Sequence, residues 1–307
     1  MPDNPNPDPL KSLLRILPLL CYGAGAAHAV VISAGDGSGN TSAPADDPGF
    51  ANIGTVGGGS AVYLGNGWVL TAAHVAGSLP ASVQLGGTTY STAPGTFHQL
   101  TNNGTPGVTT LTDTVVFRLA SDPGLPWLNI RSSVPTVGDT MTMIGNGYNR
   151  ATSPTYWDSS WAVLPSSSGA AYSGYTTTSG HTIRWGENQV AASGGFVFNG
   201  TFDLRAMISE FNADGLPNEA QAVVGDSGGG VFIKNGSTWE LAGMTDAVGG
   251  YSGQPDVSIT PIYGDVTAMS DLSYYRDQII SITDIPEPSA YLVAALALPL
   301  MAFRRKR

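Results

Sequence analysis

The chain has 307 residues, of which 42% are hydrophobic and 12% are charged, and this composition is typical of a packed globular protein. Between residues 30 and 288 there are 7 Lys and Arg against 21 Asp and Glu, a charge of −14, which argues against binding to nucleic acid phosphates. Forty glycines, with short Val- and Thr-rich runs broken by Gly, Asn and Pro, favour a mainly β protein.

Residues 1–29 have the parts of a secretory signal peptide. Lys11 and Arg15 precede an apolar stretch at residues 16–27, and Ala-His-Ala at residues 27–29 is the small-x-small pattern of a signal-peptidase site. An N-terminal membrane anchor is the weaker alternative, because the stretch is short and is interrupted by proline and glycine. We therefore expect export, with cleavage after residue 29.

The next segments predict a flexible lead followed by a β-hairpin. Residues 30–48 are rich in Gly, Ser, Ala and Asp and are expected to be flexible. In "GGGSAVYLGNGWVLTAAHV", residues 57–75, apolar runs at 61–64 and 68–70 flank a Gly-Asn-Gly turn, which is a hairpin signal. Further strands are expected at residues 82–85, 115–119 and 140–144.

Three signals follow in the second half of the chain. Residues 158–180 are short of charge and predict a long surface loop or insertion with room for a hairpin. "GDSGGGVF", residues 225–232, sets a serine between an acid and three glycines, which suggests a close approach of backbone; a plain glycine turn before a hairpin is the alternative. Residues 267–282 are the best helix candidate, because apolar residues recur there at three- and four-residue spacing.

Three residues carry a family resemblance when they are taken together. His74 lies in "TAAHV", Asp113 opens "DTVVFRL", and Ser227 lies in "GDSGGG". In this order they resemble the trypsin/chymotrypsin-like serine peptidase family of bacterial type. "MTMIGNG" is similar to the start of that family's second barrel, and "GGGVFIKNGSTWELAGM" to its last hairpin.

The resemblance implies an all-β fold and a domain plan. The fold would be two antiparallel six-stranded β-barrels with a C-terminal helix and the active site in the cleft. Residues 49–135 would form the first barrel, and residues 136–283 the second barrel and the helix.

The resemblance also implies a role for each site residue. Ser227 would attack the substrate carbonyl, His74 would take its proton, and Asp113 would orient the imidazole. The main-chain N–H groups of Gly225 and Ser227 would form the oxyanion hole. The chain would then be a serine endopeptidase that acts on polypeptides through an acyl-enzyme intermediate. We expect no cofactor and no metal, since His28, His74, His98 and His181 show no ligand spacing.

The substrate pocket departs from that of trypsins. Gln221 stands six residues before Ser227, where trypsins carry an aspartate. With Thr245 and Asp246 it is assigned to the pocket. This pocket predicts cleavage after uncharged residues, because a buried Lys or Arg would lack a partner there. Acidic groups such as Glu219 or Asp246 would counter that preference if they lined the pocket.

The roles of two further aspartates, Asp122 and Asp226, also follow from the sequence. Asp122 is a rival of Asp113, but it precedes Pro-Gly and is typical of a turn. In animal relatives, the aspartate at the position of Asp226 pairs with an N-terminal amine that is newly released by cleavage. The nearest similar sequence here, Thr-Val-Gly-Gly at residues 55–58, lies too close to His74 for that role, so we expect another partner for Asp226.

The C-terminal residues, "IPEPSAYLVAALALPLMAFRRKR", combine Pro-Glu-Pro at 286–288, an apolar stretch at 290–303 and a basic cluster at 304–307. They resemble the PEP-CTERM sorting signal, which in certain Gram-negative bacteria is processed by an exosortase. The resemblance implies that residues 284–307 hold the protein in the inner membrane for a time through a short apolar segment. The folded domain would reach the periplasm or the cell surface, with signal peptidase and exosortase as processing partners.

Two other function classes remain open from the sequence. A catalytically silent trypsin-like domain could serve as a binding or matrix component at the cell surface. A carbohydrate-binding module could use the six tryptophans as stacking platforms, although aromatic residues in β proteins are more often core. The oligomeric state and the physiological substrate are not predicted.

Overall fold

The computed structural model describes residues 30–285, so the predicted signal peptide and most of the predicted sorting signal lie outside the described residues. Within this range no helix is long and apolar enough to cross a membrane. Among residues 30–285 the α-helices are α1 (Ala73–Ala76) and α2 (Leu272–Thr283), and a short 3-10 helix spans Phe50–Asn52. The fold is therefore mainly β, as the sequence predicts.

The first half forms one antiparallel sheet whose strands follow β-branched and aromatic runs. Its seven strands are β2 (Ile53–Val56), β3 (Gly59–Gly65), β4 (Trp68–Ala72), β5 (Ser82–Leu85), β6 (Thr88–Ser91), β7 (His98–Thr101) and β8 (Leu111–Arg118). The spatial order is β6-β5-β2-β3-β4-β8-β7. The hairpin at residues 57–75 is confirmed, and Asn66 and Gly67 have positive φ at its turn, as a tight hairpin requires.

The second half is a closed six-stranded barrel. Its strands are β9 (Thr140–Gly145), β15 (Arg184–Phe198), β16 (Asp203–Glu210), β18 (Gly230–Asn235), β19 (Thr238–Gly249) and β20 (Val266–Asp271). They pair in the order β15-β16-β20-β19-β18-β9. The predicted fold class is confirmed as a mainly β, trypsin-like fold with one closed six-stranded barrel and a short C-terminal helix. The first half differs in detail, because it forms a seven-stranded sheet where a six-stranded barrel was predicted.

Short strands lie outside these two sheets. They are β1 (Val31–Ile32), β10 (Tyr148–Arg150), β11 (Thr155–Trp157), β12 (Val163–Leu164), β13 (Tyr172–Gly174), β14 (Thr177–His181) and β17 (Ala220–Gln221). The predicted insertion at 158–180 thus carries β12, β13 and most of β14, and two of these strands pair with β11. Trp161 stacks on Tyr172 at its surface, with ring centroids 4.1 Å apart.

An apolar core joins the two halves and the C-terminal helix. Leu70 from the first sheet and Phe232 from the barrel belong to one buried cluster with Leu272, Tyr275 and Ile279 of α2. Because this cluster contains residues of both halves, it holds the two halves and the helix together.

The helix prediction at residues 267–282 is wrong at its start. Residues 267–271 belong to β20, which pairs with β16 and β19 on either side. Asp271 caps the helix through the Ser273 N–H, so α2 begins at Leu272. Barrel closure supplies two neighbouring strands, and this long-range pairing overrides the local helical spacing.

The segment predicted as a flexible lead is packed at its beginning. Val31 is fully buried and pairs with Gln221 in the β1–β17 ladder. The guanidinium of Arg150 donates to the main-chain carbonyls of Ile32, Ser33, Ala34 and Gly35. The composition of residues 30–48 resembles that of a linker, but apolar contacts and this buried arginine hold its first residues in place.

Candidate active site

Adjacent strands of the first sheet bring His74 and Asp113 together. His74 lies in α1 directly after β4, Asp113 lies in β8, and β4 pairs with β8 along its whole length. The main-chain N–H of His74 donates to Asp113 Oδ1 at 2.8 Å, and His74 Nδ1 lies 2.6 Å from Asp113 Oδ2. Both carboxylate oxygens therefore hold the same histidine, one through the main chain and one through the ring.

The electrostatics of this pair favour a proton on the imidazole. Asp113 is fully buried, whereas the His74 side chain keeps 33% of its surface exposed. Burial lowers the pKa of His74, but the hydrogen bond and charge of Asp113, together with the charge of Asp246, raise it by more. Asp113 thus fixes the ring by accepting from Nδ1–H, which leaves Nε2 as the basic nitrogen.

Ser227 lies in the turn between β17 and β18, at the boundary of the two halves. Its hydroxyl donates to the main-chain carbonyl of Asp246 at 3.1 Å. Within residues 30–285 this is the hydrogen bond that the hydroxyl makes, and none joins it to His74 in this arrangement.

Ser60 of β3 holds the Ser227 turn from the opposite half of the molecule. Its hydroxyl donates to the Gly225 carbonyl at 2.8 Å, and its main-chain N–H donates to the Ser227 carbonyl at 2.9 Å. The same hydroxyl accepts from the Asn146 N–H at 2.9 Å. The first two bonds fix the Ser227 turn at Gly225 and at Ser227, and the third holds the Ser60 hydroxyl itself in place.

The glycines after Ser227 are required by backbone contacts. At Gly228, which has φ +88°, a Cβ would lie 2.1 Å from the Ser60 carbonyl oxygen. At Gly229 it would lie 2.6 Å from the Ile144 carbonyl oxygen. The close approach inferred from "GDSGGG" is thus present, and its partners are strands β3 and β9.

Two main-chain N–H groups of this turn have no hydrogen-bond acceptor within residues 30–285. Among the residues that the structure describes, the amides of Gly225 and Ser227 donate no hydrogen bond. Gly225 has φ +92°, a conformation that a residue with a Cβ rarely adopts. A free pair of N–H donors beside a serine is suited to binding an oxyanion.

Asp226 finds its partners in the main chain. Its Oδ1 accepts from the Gly147 N–H and its Oδ2 from the Val223 N–H, each at 2.9 Å. Burial raises the pKa of Asp226 well above its usual range, against the opposing effects of the Val223 hydrogen bond and the charge of Arg184. The expectation of a partner other than an N-terminal amine agrees with these contacts.

The residues assigned to the substrate pocket are all buried. The Gln221 amide donates to the Val266 carbonyl and accepts from the Thr267 hydroxyl, both at 3.1 Å. The main-chain N–H of Thr245 donates to the Gly229 carbonyl beside the Ser227 turn. The Glu219 carboxylate accepts from two main-chain N–H groups, those of Asn212 and Leu216.

The Asp246 carboxylate lies close to the His74–Asp113 pair, at a bulge in β19 between Thr245 and Ala247. Its assignment to the substrate pocket stays a prediction. The Asn199 amide nitrogen lies between the two aspartates, 2.5 Å from Asp113 Oδ2 and 2.9 Å from Asp246 Oδ1.

The rival aspartate is a turn residue. Asp122 Oδ1 accepts from the Gly124 N–H at 2.8 Å and contacts the Tyr63 hydroxyl. These contacts tie the turn after β8 to the first sheet, and they agree with the interpretation of Asp122 as a structural residue.

His74, Asp113 and Asp246 offer ligand atoms within 4.8 Å of one another, but they do not fit a metal ion. Two ligands of a tetrahedral zinc ion lie roughly 3.3 Å apart, given bonds of about 2.0 Å. The 2.6 Å separation of His74 Nδ1 and Asp113 Oδ2 is instead that of a strong hydrogen bond. The Asn199 amide, a donor, occupies the space between the carboxylates.

Comparison with known proteins agrees with this geometry. The model of the trypsin family matches residues 37–267, three quarters of the chain. The chain belongs to the trypsin family. A mutant of human heparin binding protein has the same trypsin-like fold, with a TM-score of 0.51 and 14% identity over 82% of this chain and 98% of that one. Neuropsin, a serine protease from mouse brain, is similar with a TM-score of 0.48 and 17% identity, over 80% of this chain and 98% of that one. The search of curated proteins returned no match.

Two residues of this trypsin-family site were not predicted from the sequence. Ser60 was seen only as part of a strand, although the Gly-Gly-Gly before it signals a close approach of backbone. Asn199 lies in an Asn-Gly turn after a Val-Phe run, which signals a hairpin but not a contact with Asp113.

Proposed function

We propose that this trypsin-family chain is an exported serine endopeptidase with His74, Asp113 and Ser227 as its triad. The observation that carries the proposal is the double hydrogen bond from His74 to Asp113, through the main-chain N–H and through Nδ1. This bond fixes the tautomer in which Nε2 is free to take a proton.

In the proposed reaction the Ser227 hydroxyl turns from the Asp246 carbonyl toward His74 Nε2. The imidazole accepts the hydroxyl proton while the serine oxygen bonds to the substrate carbonyl carbon. The same proton then passes to the leaving amine as the peptide bond breaks, which gives an acyl-enzyme. Water releases the acyl group in a second step of the same kind, and Asp113 stabilises the transient imidazolium ion.

The unbonded amides of Gly225 and Ser227 support the role of an oxyanion hole. Ser60 and the following glycines hold these N–H groups before any substrate binds, so no reorganisation is needed as charge develops. Losing one donor of this kind typically reduces turnover by about 10²- to 10³-fold.

The proposal is tested by active-site labelling. The purified protein is treated with a fluorophosphonate probe, and the modified residue is located by mass spectrometry. We expect the label on Ser227, and we expect hydrolysis of an ester or peptide to fall to background in Ser227→Ala. Ser237→Ala, in an exposed hairpin turn, is the matched control and should keep wild-type activity. Wild-type turnover in Ser227→Ala would refute the proposal.

A catalytically silent binding domain is the second candidate. One protein with the same fold is named for binding heparin, so the fold is compatible with a binding role. The charge of −14 between residues 30 and 288 disfavours a sulfated polysaccharide ligand for this chain. A folded protein that resists the probe but binds neutral polysaccharide would favour this candidate over the enzyme.

We also propose that residues 1–29 are a signal peptide cleaved by signal peptidase and that residues 284–307 are a sorting signal processed by an exosortase. The sequence patterns described above support this proposal. A chain truncated after Ile285, whose side chain is buried in the core beside the C-terminal helix, is expected to keep full hydrolytic activity. Replacing Pro-Glu-Pro at 286–288 by alanines is expected to leave activity unchanged while unprocessed protein accumulates in the inner membrane. Normal processing of the alanine variant would contradict the assignment.

A further inference from the structure

Asn199 is held in one orientation by its own turn. It follows β15, and its side-chain oxygen accepts from the main-chain N–H groups of Thr201 and Phe202 at 3.1 and 2.9 Å. With its oxygen used in this way, the amide must direct its nitrogen toward Asp113 and Asp246. The contact between Asn199 and the two aspartates is therefore built into the hairpin.

Asp246 is linked by hydrogen bonds to two of the proposed triad residues, and its carboxylate lies within 4.8 Å of a ring nitrogen of the third, His74. Its main-chain carbonyl accepts from the Ser227 hydroxyl, and its carboxyl reaches Asp113 through Asn199. Asp246 is 4% exposed, and its Oδ2 is buried without a hydrogen-bond partner among the described residues. A buried carboxylate with one donor and a second carboxylate nearby is poorly compensated, which favours its neutral form.

The titratable groups that face Asp246 among residues 30–285 are His74 from α1, Asp113 from β8 and Tyr275 from α2. Burial, and then the charge of Asp113, raise the pKa of Asp246 to about 8, while His74 opposes this rise. Burial raises the pKa of Tyr275 to about 12, so the phenol stays neutral wherever the other groups titrate. His74 and Asp246 therefore titrate as an interacting pair.

We propose that Asn199 and Asp246 are positioning residues of the triad: the Asn199 amide ties Asp113 to Asp246, and the charge of the Asp246 carboxyl, which lies close to the imidazole, sets the basicity of His74. While Asp246 is neutral, it adds little to the basicity of the imidazole. Once Asp246 is ionised, its charge stabilises the imidazolium ion. This inference rests on the proposed serine endopeptidase function.

The kinetic test is the pH dependence of kcat/KM with p-nitrophenyl acetate as substrate. In the wild type, the rise in activity from acid pH follows two coupled ionisations and is broad. In Asp246→Asn, which mimics the neutral acid, we expect a single ionisation at lower pH. Asp265→Asn is the control, because Asp265 is also a buried acid with a pKa raised to about 8, mainly by burial, but its partners are Ile262 and Gln254. An unchanged profile in Asp246→Asn would overturn the proposal.

Asn199→Ala separates positioning from substrate binding. Loss of the bridge is expected to lower kcat by about 10- to 100-fold, the range produced by small misplacements of catalytic groups, with little change in KM. Asp246→Ala removes the other end of the same bridge and is expected to lower kcat as well. In the double variant with Asn199→Ala the two losses should be far from additive, since both substitutions remove one connection. Fully additive losses, or a loss confined to KM, would contradict the role. Near-UV circular dichroism checks that each variant is folded.

A third measurement does not depend on turnover. In Ser227→Ala labelled with ¹³C at the aspartate carboxyls, the resonance that disappears with Asp246→Asn is expected to titrate far above an ordinary aspartate. It should respond again as His74 titrates. If this holds but the wild type hydrolyses no ester, the proposed function fails while the coupling stands. If Asp246 titrates as an ordinary aspartate in an active enzyme, only the present inference fails.

Discussion

Gly228→Ala tests whether the glycines after Ser227 are fixed by the Ser60 backbone. The new Cβ would lie 2.1 Å from the Ser60 carbonyl oxygen and 2.3 Å from Thr71 Oγ1, at a residue with φ +88°. A left-handed backbone costs a non-glycine residue about 1–2 kcal/mol, and overpacking adds about 1–3 kcal/mol. We therefore expect the free energy of unfolding to fall by about 2–5 kcal/mol.

Gly236→Ala is the matched control for this prediction. Gly236 also has positive φ, at +61°, but no atom lies within 4 Å of its added Cβ. Only the backbone cost of about 1–2 kcal/mol should appear there. Urea unfolding of both variants, followed by fluorescence, measures the difference. Equal losses in the two variants would refute the steric argument, whereas a larger loss at Gly228, together with reduced turnover, would support it.

Three other predictions follow from contacts of single side chains. Asp113→Asn should reduce kcat by about 10⁴-fold because the imidazole loses its fixed tautomer, whereas Asp122→Asn should leave kcat almost unchanged; a larger loss at Asp122 would overturn the assignment. Asp265→Asn should raise Tm at pH 8 but not at pH 4. Burial raises the pKa of Asp265 in the folded protein to about 8, so between these pH values the unfolded chain releases the Asp265 proton more easily than the folded one, and stability falls. Equal changes in Tm at pH 4 and pH 8 would exclude burial of Asp265 as the cause. A peptide library should show cleavage after uncharged residues, since Gln221 offers no carboxylate, and dominant cleavage after Arg or Lys would contradict this.

Features set by neighbouring residues were predictable from the sequence. The Asn66-Gly67 turn follows from local conformational preference, and it is present. The close approach at "GDSGGG" also follows from local reasoning, because only glycine tolerates a carbonyl where a Cβ would stand. Which carbonyl approaches Gly228 could not be predicted, because it belongs to Ser60, which is far away along the chain.

Features set by distant strands were missed or misplaced. The start of α2 was predicted too early. The sequence of residues 267–271 has helical spacing, and it does not show that these residues pair with β16 and β19. The position of the Asp246 carboxyl depends on a bulge in β19. Its connection to Asp113 depends on a hairpin amide at Asn199. No spacing rule joins these three residues, so only the folded chain brings them together.

The pairing of β1 with β17 has a consequence for the order of folding. Val31, near the start of the described chain, is hydrogen-bonded to the strand that ends at Gln221, six residues before Ser227. Contacts between residues so far apart in sequence form late, because the entropy of closing the intervening loop must be offset first. His74 and Asp113 can meet once the first sheet exists, but the segment leading to the serine is completed only when nearly all of the chain is present. We therefore expect a partly synthesised chain to lack a formed Ser227 turn even after His74 and Asp113 have met.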